Sequence, residues 1–108
     1  MQNLLTAVFE AHNPESNHHR SYGVVVGRDL FSDYLLTARY GRAGCAGSSQ
    51  RFASSDPVPL QQVTKQRLRR RLGAERRIGC PYRLVSLDCA PGMHLEDWLP
   101  PEFLPAGV

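Results

Sequence analysis

The string Ser55-Asp56-Pro57 divides this chain into two regimes of periodicity. A short polar residue followed by proline marks a helix start, because its side chain can cap free backbone N–H groups and proline needs no N–H at the first helical position. Beyond the string, Leu60, Val63, Leu68 and Leu72 recur at helical spacing and Gly73 follows them. This predicts a helix from Pro57 to about Leu72, with Pro59 tolerated in its first turn. Arg67 and Arg71 border the apolar stripe, where their stems can pack while their heads reach water.

Before the string the pattern is strand-like. The first ten residues, Tyr22–Val26, Tyr34–Arg42 and Ser48–Ser54 read as four strands, separated by the turn signals Asn13–Asn17 and Gly44–Gly47. Period two sets Tyr34, Leu36, Ala38 and Tyr40 on one side of the third strand and Leu35, Thr37, Arg39 and Gly41 on the other. Leu30 and Phe31, in a loop between Asp29 and Asp33, are expected to anchor the core. After Gly79-Cys80-Pro81, residues 82–87 form a fifth strand. The order implies an α+β fold: an antiparallel sheet of four to five strands with one helix packed on a face. With 108 residues the chain suits one domain, assigned to residues 1–88. Residues 89–108 are expected to be a Pro-rich acidic tail, extended and either mobile or laid across the domain.

Net charge is only +3, but it is unevenly distributed. Residues 1–33 carry −2, residues 34–87 carry +9 and residues 88–108 carry −4. A basic middle between acidic ends is a footprint for polyanions. All the basic residues but Lys65 are arginines, whose planar fork grips phosphate with two parallel bonds and stacks on rings. The candidate nucleic-acid-binding residues are Tyr40, Arg42, Arg39, Arg51, Lys65, Arg69, Arg70 and Arg76. Tyr40 is open to two readings, a ring that stacks on a sugar or base and a half-buried strand aromatic. Arg42 either contacts phosphate or pairs with a carboxylate to hold the hairpin. The acidic tail suggests one further device, folding back over the basic segment with Trp98 and Phe103 as anchors.

The run Tyr40-Gly41-Arg42-Ala43-Gly44-Cys45-Ala46-Gly47 resembles the Trp-Gly-Arg-x-Gly signature of the WGR domain, with its further glycine. Asn17-His18-His19-Arg20-Ser21-Tyr22 resembles the Asn-x-x-Arg-Phe-Tyr start of an early strand in that family. Asp29-Leu30-Phe31 ahead of Tyr34 resembles a turn of its bacterial members, and Leu68–Gly73 followed by Tyr82 resembles its closing segment. The resemblance spans about Leu4 to Val85 and implies a sheet-plus-helix module. Such modules stand beside the catalytic domain of poly(ADP-ribose) polymerases and occur in bacteria as small free-standing proteins. In the polymerases the motif tryptophan packs against sugar and base at a DNA end while basic residues hold the backbone. By similarity these roles fall on Tyr40 and Arg42. Here Tyr40 replaces the tryptophan, Arg39 stands where an acidic residue is common, and Ala43 replaces a larger aliphatic residue.

Other chemistries find little support. There is no Gly-x-Ser-x-Gly elbow, phosphate loop or His-Glu-x-x-His string, so no catalytic residue is assigned. Cys45, Cys80 and Cys89 lack metal-ligand spacing, and His12, His18 and His19 complete no tetrahedral set, so neither metal nor cofactor is expected. No stretch approaches the roughly 18 apolar residues of a membrane span. The N-terminal residues lack the basic and apolar regions of a signal peptide, and a cytoplasmic location is expected. The reading is thus a non-enzymatic nucleic-acid-binding module, DNA being favoured. Its alternative is an interaction or regulatory module that meets an acidic partner protein.

Overall fold

A computed structural model describes residues 2–31, 33–42, 47–73 and 79–104. Five strands, β1 (Gln2–Asn13), β2 (His18–Arg28), β3 (Tyr34–Arg42), β4 (Ser48–Ser54) and β5 (Arg83–Cys89), form one antiparallel sheet in the order β4-β3-β2-β1-β5. The helix α1 (Pro57–Arg71) follows the edge strand β4, and the chain then returns on the far edge as β5. The expected bounds of β3 and β4 match the structure, and the other strands extend further than their apolar runs.

Local chemistry explains the helix start. The Asp56 carboxylate accepts from the Val58 N–H at 3.0 Å, and the Ser54 hydroxyl accepts from the Asp56 N–H at 3.1 Å. Leu60, Thr64 and Leu68, four residues apart, form the buried row. Thr64 fits there because its hydroxyl donates to the Leu60 carbonyl at 2.8 Å, leaving its methyl group to pack. Leu72 lies one turn past this row and is exposed, contrary to its expected place in the stripe.

Alternation fixes one sheet face as the core: Leu5, Ala7, Phe9 and Ala11 on β1, Tyr22, Val24 and Val26 on β2, and Leu36 and Ala38 on β3. Five strands at about 4.8 Å spacing make a face roughly 20 Å wide, about twice the width of one helix. Helix α1 therefore covers only part of it. The rest is covered by residues after β5, where a short helix α2 (Leu95–Trp98) leads into a 3-10 turn (Pro101–Phe103). Trp98, Leu99, Pro100 and Phe103 are buried. Phe103 meets Phe9 edge-to-face, with ring centroids 4.9 Å apart. The segment is laid across the domain, as one of the two expectations had it, but it is coiled into short turns and not extended. The prolines break the segment into short turns, and its apolar residues still find the uncovered half of the sheet.

A second correction concerns Leu30 and Phe31, which are 91% and 86% exposed. They sit at the tip of the β2–β3 hairpin, beyond the end of the sheet, where no layer lies beneath them. The tip is held from within. The Asp29 carboxylate accepts from the N–H groups of Phe31 and Asp33 at 2.9 and 3.0 Å, and the Asp29 N–H donates to the Asp33 carbonyl at 3.0 Å.

Candidate nucleic-acid interface

The register of β2 and β3 places Tyr22 opposite Tyr40 and Arg20 opposite Arg42. Tyr40 lies on the core side of the sheet, half-buried, with its ring stacked beside that of Tyr22 at 6.5 Å and 26° between planes. From above, the Arg71 guanidinium sits 3.5 Å from the centre of the Tyr22 ring. One step along, Arg67 lies 5.1 Å from the Phe52 ring centre. The heads of Arg67 and Arg71, both half-buried, thus rest on the sheet's rings, because α1 crosses directly over two aromatic side chains. Burial pushes the Tyr22 hydroxyl above its ordinary pKa, and the charges of Arg71 and Arg67 pull the other way.

These stacked contacts bring the last turn of α1 over the strand ends that carry the Tyr40-Gly41-Arg42 motif. Arg69 and Arg70 are exposed on that turn, while Lys65 is half-buried midway along the helix. Arg42 is exposed and donates from Nη2 to Asn17 Oδ1 at 3.4 Å. Asn17 is held in the left-handed region, φ 54°, at the end of the β1–β2 turn. Asn17, His18, His19, Arg20 and Arg42 line a small polar cleft. Arg20 and Arg42 are directly opposed like charges, and neither has an ion-pair partner among the described residues.

The motif glycines have a mechanical reason. Gly41 (φ 152°) and Gly47 (φ 64°) press together across the base of the β3–β4 hairpin. A Cβ on Gly47 would lie 2.4 Å from the Tyr40 carbonyl oxygen, and one on Gly41 would lie 2.9 Å from the Gly47 Cα. Only glycine suits both the backbone angles and the approach. The remainder of the expected hairpin tip, with Cys45, lies outside the described residues, as does Arg76.

The expected site residues therefore divide between two faces. Tyr40 stands on the core side, with Arg42 beyond it at the strand end and the helix arginines above. Arg39 and Arg51 project from the opposite, helix-free face, where they border a concavity lined in part by Val25, Leu35 and Thr37. Arg20 was not among the expected site residues. Its place opposite Arg42 depends on strand register, although it lies inside the Asn17–Tyr22 string. On the neighbouring strand ends, His12 bonds to Glu10 at 2.7 Å and to His19 at 3.0 Å.

The fold is an α+β one, a five-stranded antiparallel sheet with one helix packed on a face. The chain belongs to the WGR domain family, whose model matches residues 5–73. No curated protein matches the chain. Among the described residues, no helix is long and apolar enough to cross a membrane.

Proposed function

We propose that this protein is a non-enzymatic nucleic-acid-binding module, with DNA the favoured partner, in line with the binding role WGR domains have in poly(ADP-ribose) polymerases. The observation that carries the reading is the opposed Arg20–Arg42 pair, two residues beyond the Tyr22–Tyr40 pair on which Arg71 of α1 rests. Like charges directly opposite one another in a sheet destabilise it. A phosphate between them turns that repulsion into two charge-assisted contacts. Arg69 and Arg70 extend the same cationic surface, and Lys65 adds to its field. Tyr40, stacked on Tyr22, offers its remaining exposed surface to a sugar or base at the edge of this surface. Arg39 and Arg51, on the other face, contribute only long-range attraction. Nothing in this reading needs a cofactor, and cytoplasm is the compartment it expects.

The test is a fluorescence titration with blunt duplex, single-stranded and closed-hairpin DNA at several salt concentrations. If about five phosphates are neutralised, log affinity falls against log salt with a slope of roughly −4 to −5. Replacing Arg20 and Arg42 together by alanine reduces that slope by about two. Absence of binding at about 50 mM salt, where phosphate contacts are strong, sinks the proposal. Binding that ignores duplex ends removes only end recognition. Binding of an acidic protein in place of DNA establishes the alternative, an interaction module.

A further inference from the structure

We infer that two copies of this chain associate face to face, each inserting its Leu30–Phe31 tip into the helix-free concavity of the other. The tip is preformed. Its two large apolar side chains are almost wholly exposed, yet the Asp29 carboxylate fixes the backbone that carries them through two hydrogen bonds. A rigid loop that presents Leu and Phe to water gains no internal packing from them, so their burial requires another surface.

That surface is on the same molecule, on the sheet face that no helix covers among the described residues. The concavity holds about 500 Å³, room for a Leu and a Phe side chain together. Asn3, Thr6, Val25, Leu35 and Thr37 line it together with Arg39 and Arg51. Both arginines are exposed, and neither has an ion-pair partner among the described residues. The tip carries the complementary charge, with Asp29 and Asp33 flanking the apolar pair. An apolar plug with acidic flanks thus matches a concavity whose lining is more apolar than polar and includes two arginines. The acidic flanks also disfavour a phosphate backbone at this point, which selects protein over nucleic acid as its occupant.

Geometry makes the exchange reciprocal. Val25 and Leu30 are five residues apart along one hairpin, about 17 Å at extended spacing. A single molecule cannot fold its tip back over that concavity without bending the hairpin. A two-fold axis lying between tip and concavity, across the strands, brings each tip onto the other copy's concavity at once. The contact is isologous and closes as a dimer, so it does not propagate into a fibre.

Sedimentation velocity on the intact chain from about 10 µM to about 1 mM covers the affinity range expected of a small interface. The expected result is a concentration-dependent shift from the 12.1 kDa monomer toward a dimer. Leu30→Ser with Phe31→Ser weakens association at least about tenfold per side chain, and the exposure of both residues leaves the fold intact by circular dichroism. Arg39→Glu with Arg51→Glu abolishes it from the other side. Mixing the two doubly substituted proteins gives association stronger than either shows alone and weaker than that of the unsubstituted chain, since one intact tip then meets one intact concavity. The inference is overturned by a monomer at every concentration or by a dimer that survives either double substitution. No nucleic acid enters this experiment, so its failure and that of the DNA-binding reading are separate events.

Discussion

The two faces of the sheet use adjacent residues in opposite ways. Arg39 and Tyr40 are neighbours in β3, yet Tyr40 is half-buried beside Tyr22 under the arginines of α1, whereas Arg39 projects into solvent beside Arg51. On the covered face, three arginines are placed by rings: Arg71 by Tyr22, Arg67 by Phe52, and Arg28 by Tyr34 at 4.8 Å. On the open face, the arginines border a concavity and rest on nothing. A charge run in the sequence is therefore not one surface. Strand alternation and the path of the helix sort it into cations that rest on rings and cations that project into solvent.

The sharpest way to break this contrast is to strip the covered face. Trp98→Ala, at a residue only 3% exposed, is expected to destabilise the fold by about 3–5 kcal/mol, measured by urea unfolding. Deleting residues 91–108 removes Trp98, Leu99 and Phe103 together and is expected to unfold the domain. If the shortened chain instead stays folded and binds DNA more tightly at low salt, the segment acts as a mask and not as a core layer. A smaller loss, about 1–3 kcal/mol, is expected for Gly47→Ala, which forces a side chain into the left-handed region against the Tyr40 carbonyl. That change acts on the motif's scaffold without altering any charge.

Alkaline pH probes the covered face from within. Because burial raises the Tyr22 pKa above its unfolded value of 10.0, the neutral hydroxyl's contribution is fully present below pH 10 and is lost as pH rises through the folded value. Melting temperature is expected to fall above pH 10, and Tyr22→Phe should flatten that decline. The smallest effect belongs to the open face. Arg51→Ala is expected to change stability by no more than about 0.5 kcal/mol in the monomer, and a larger loss in dilute solution would show a structural role for this arginine.

Elements governed by local chemistry were legible in the sequence. The helix start follows from Asp56 and Pro57, and β3 and β4 are bounded by turn residues, so their expected limits agree with the structure. Properties that depend on what lies above or below a residue were not legible. Leu30 and Phe31 have the composition of core residues, but hydrophobicity does not reveal whether a layer exists beneath a hairpin tip. Trp98 and Phe103 looked like anchors of a loose tail because nothing local shows that one helix is too narrow for five strands. Within the site, Tyr40 and Arg42 were visible through the motif. Arg20 was not assigned to the site because the pairing of β2 with β3 brings it opposite Arg42. The reach of Arg71 onto Tyr22 depends on where α1 crosses the sheet, which periodicity within the helix does not specify.

The first strand of the chain pairs with the last: β1 runs antiparallel to β5, and Phe9 of that first strand lies against Phe103. These contacts join residues separated by most of the sequence, so the entropy of closing a long loop must be met before they return any stabilisation. The β1–β2–β3 meander, by contrast, is built from hairpins of short range. Folding should therefore begin in the meander and finish when β5 and the residues after it close over β1. During synthesis, the core face of β1 would wait for β5 and the residues that follow it before leaving water.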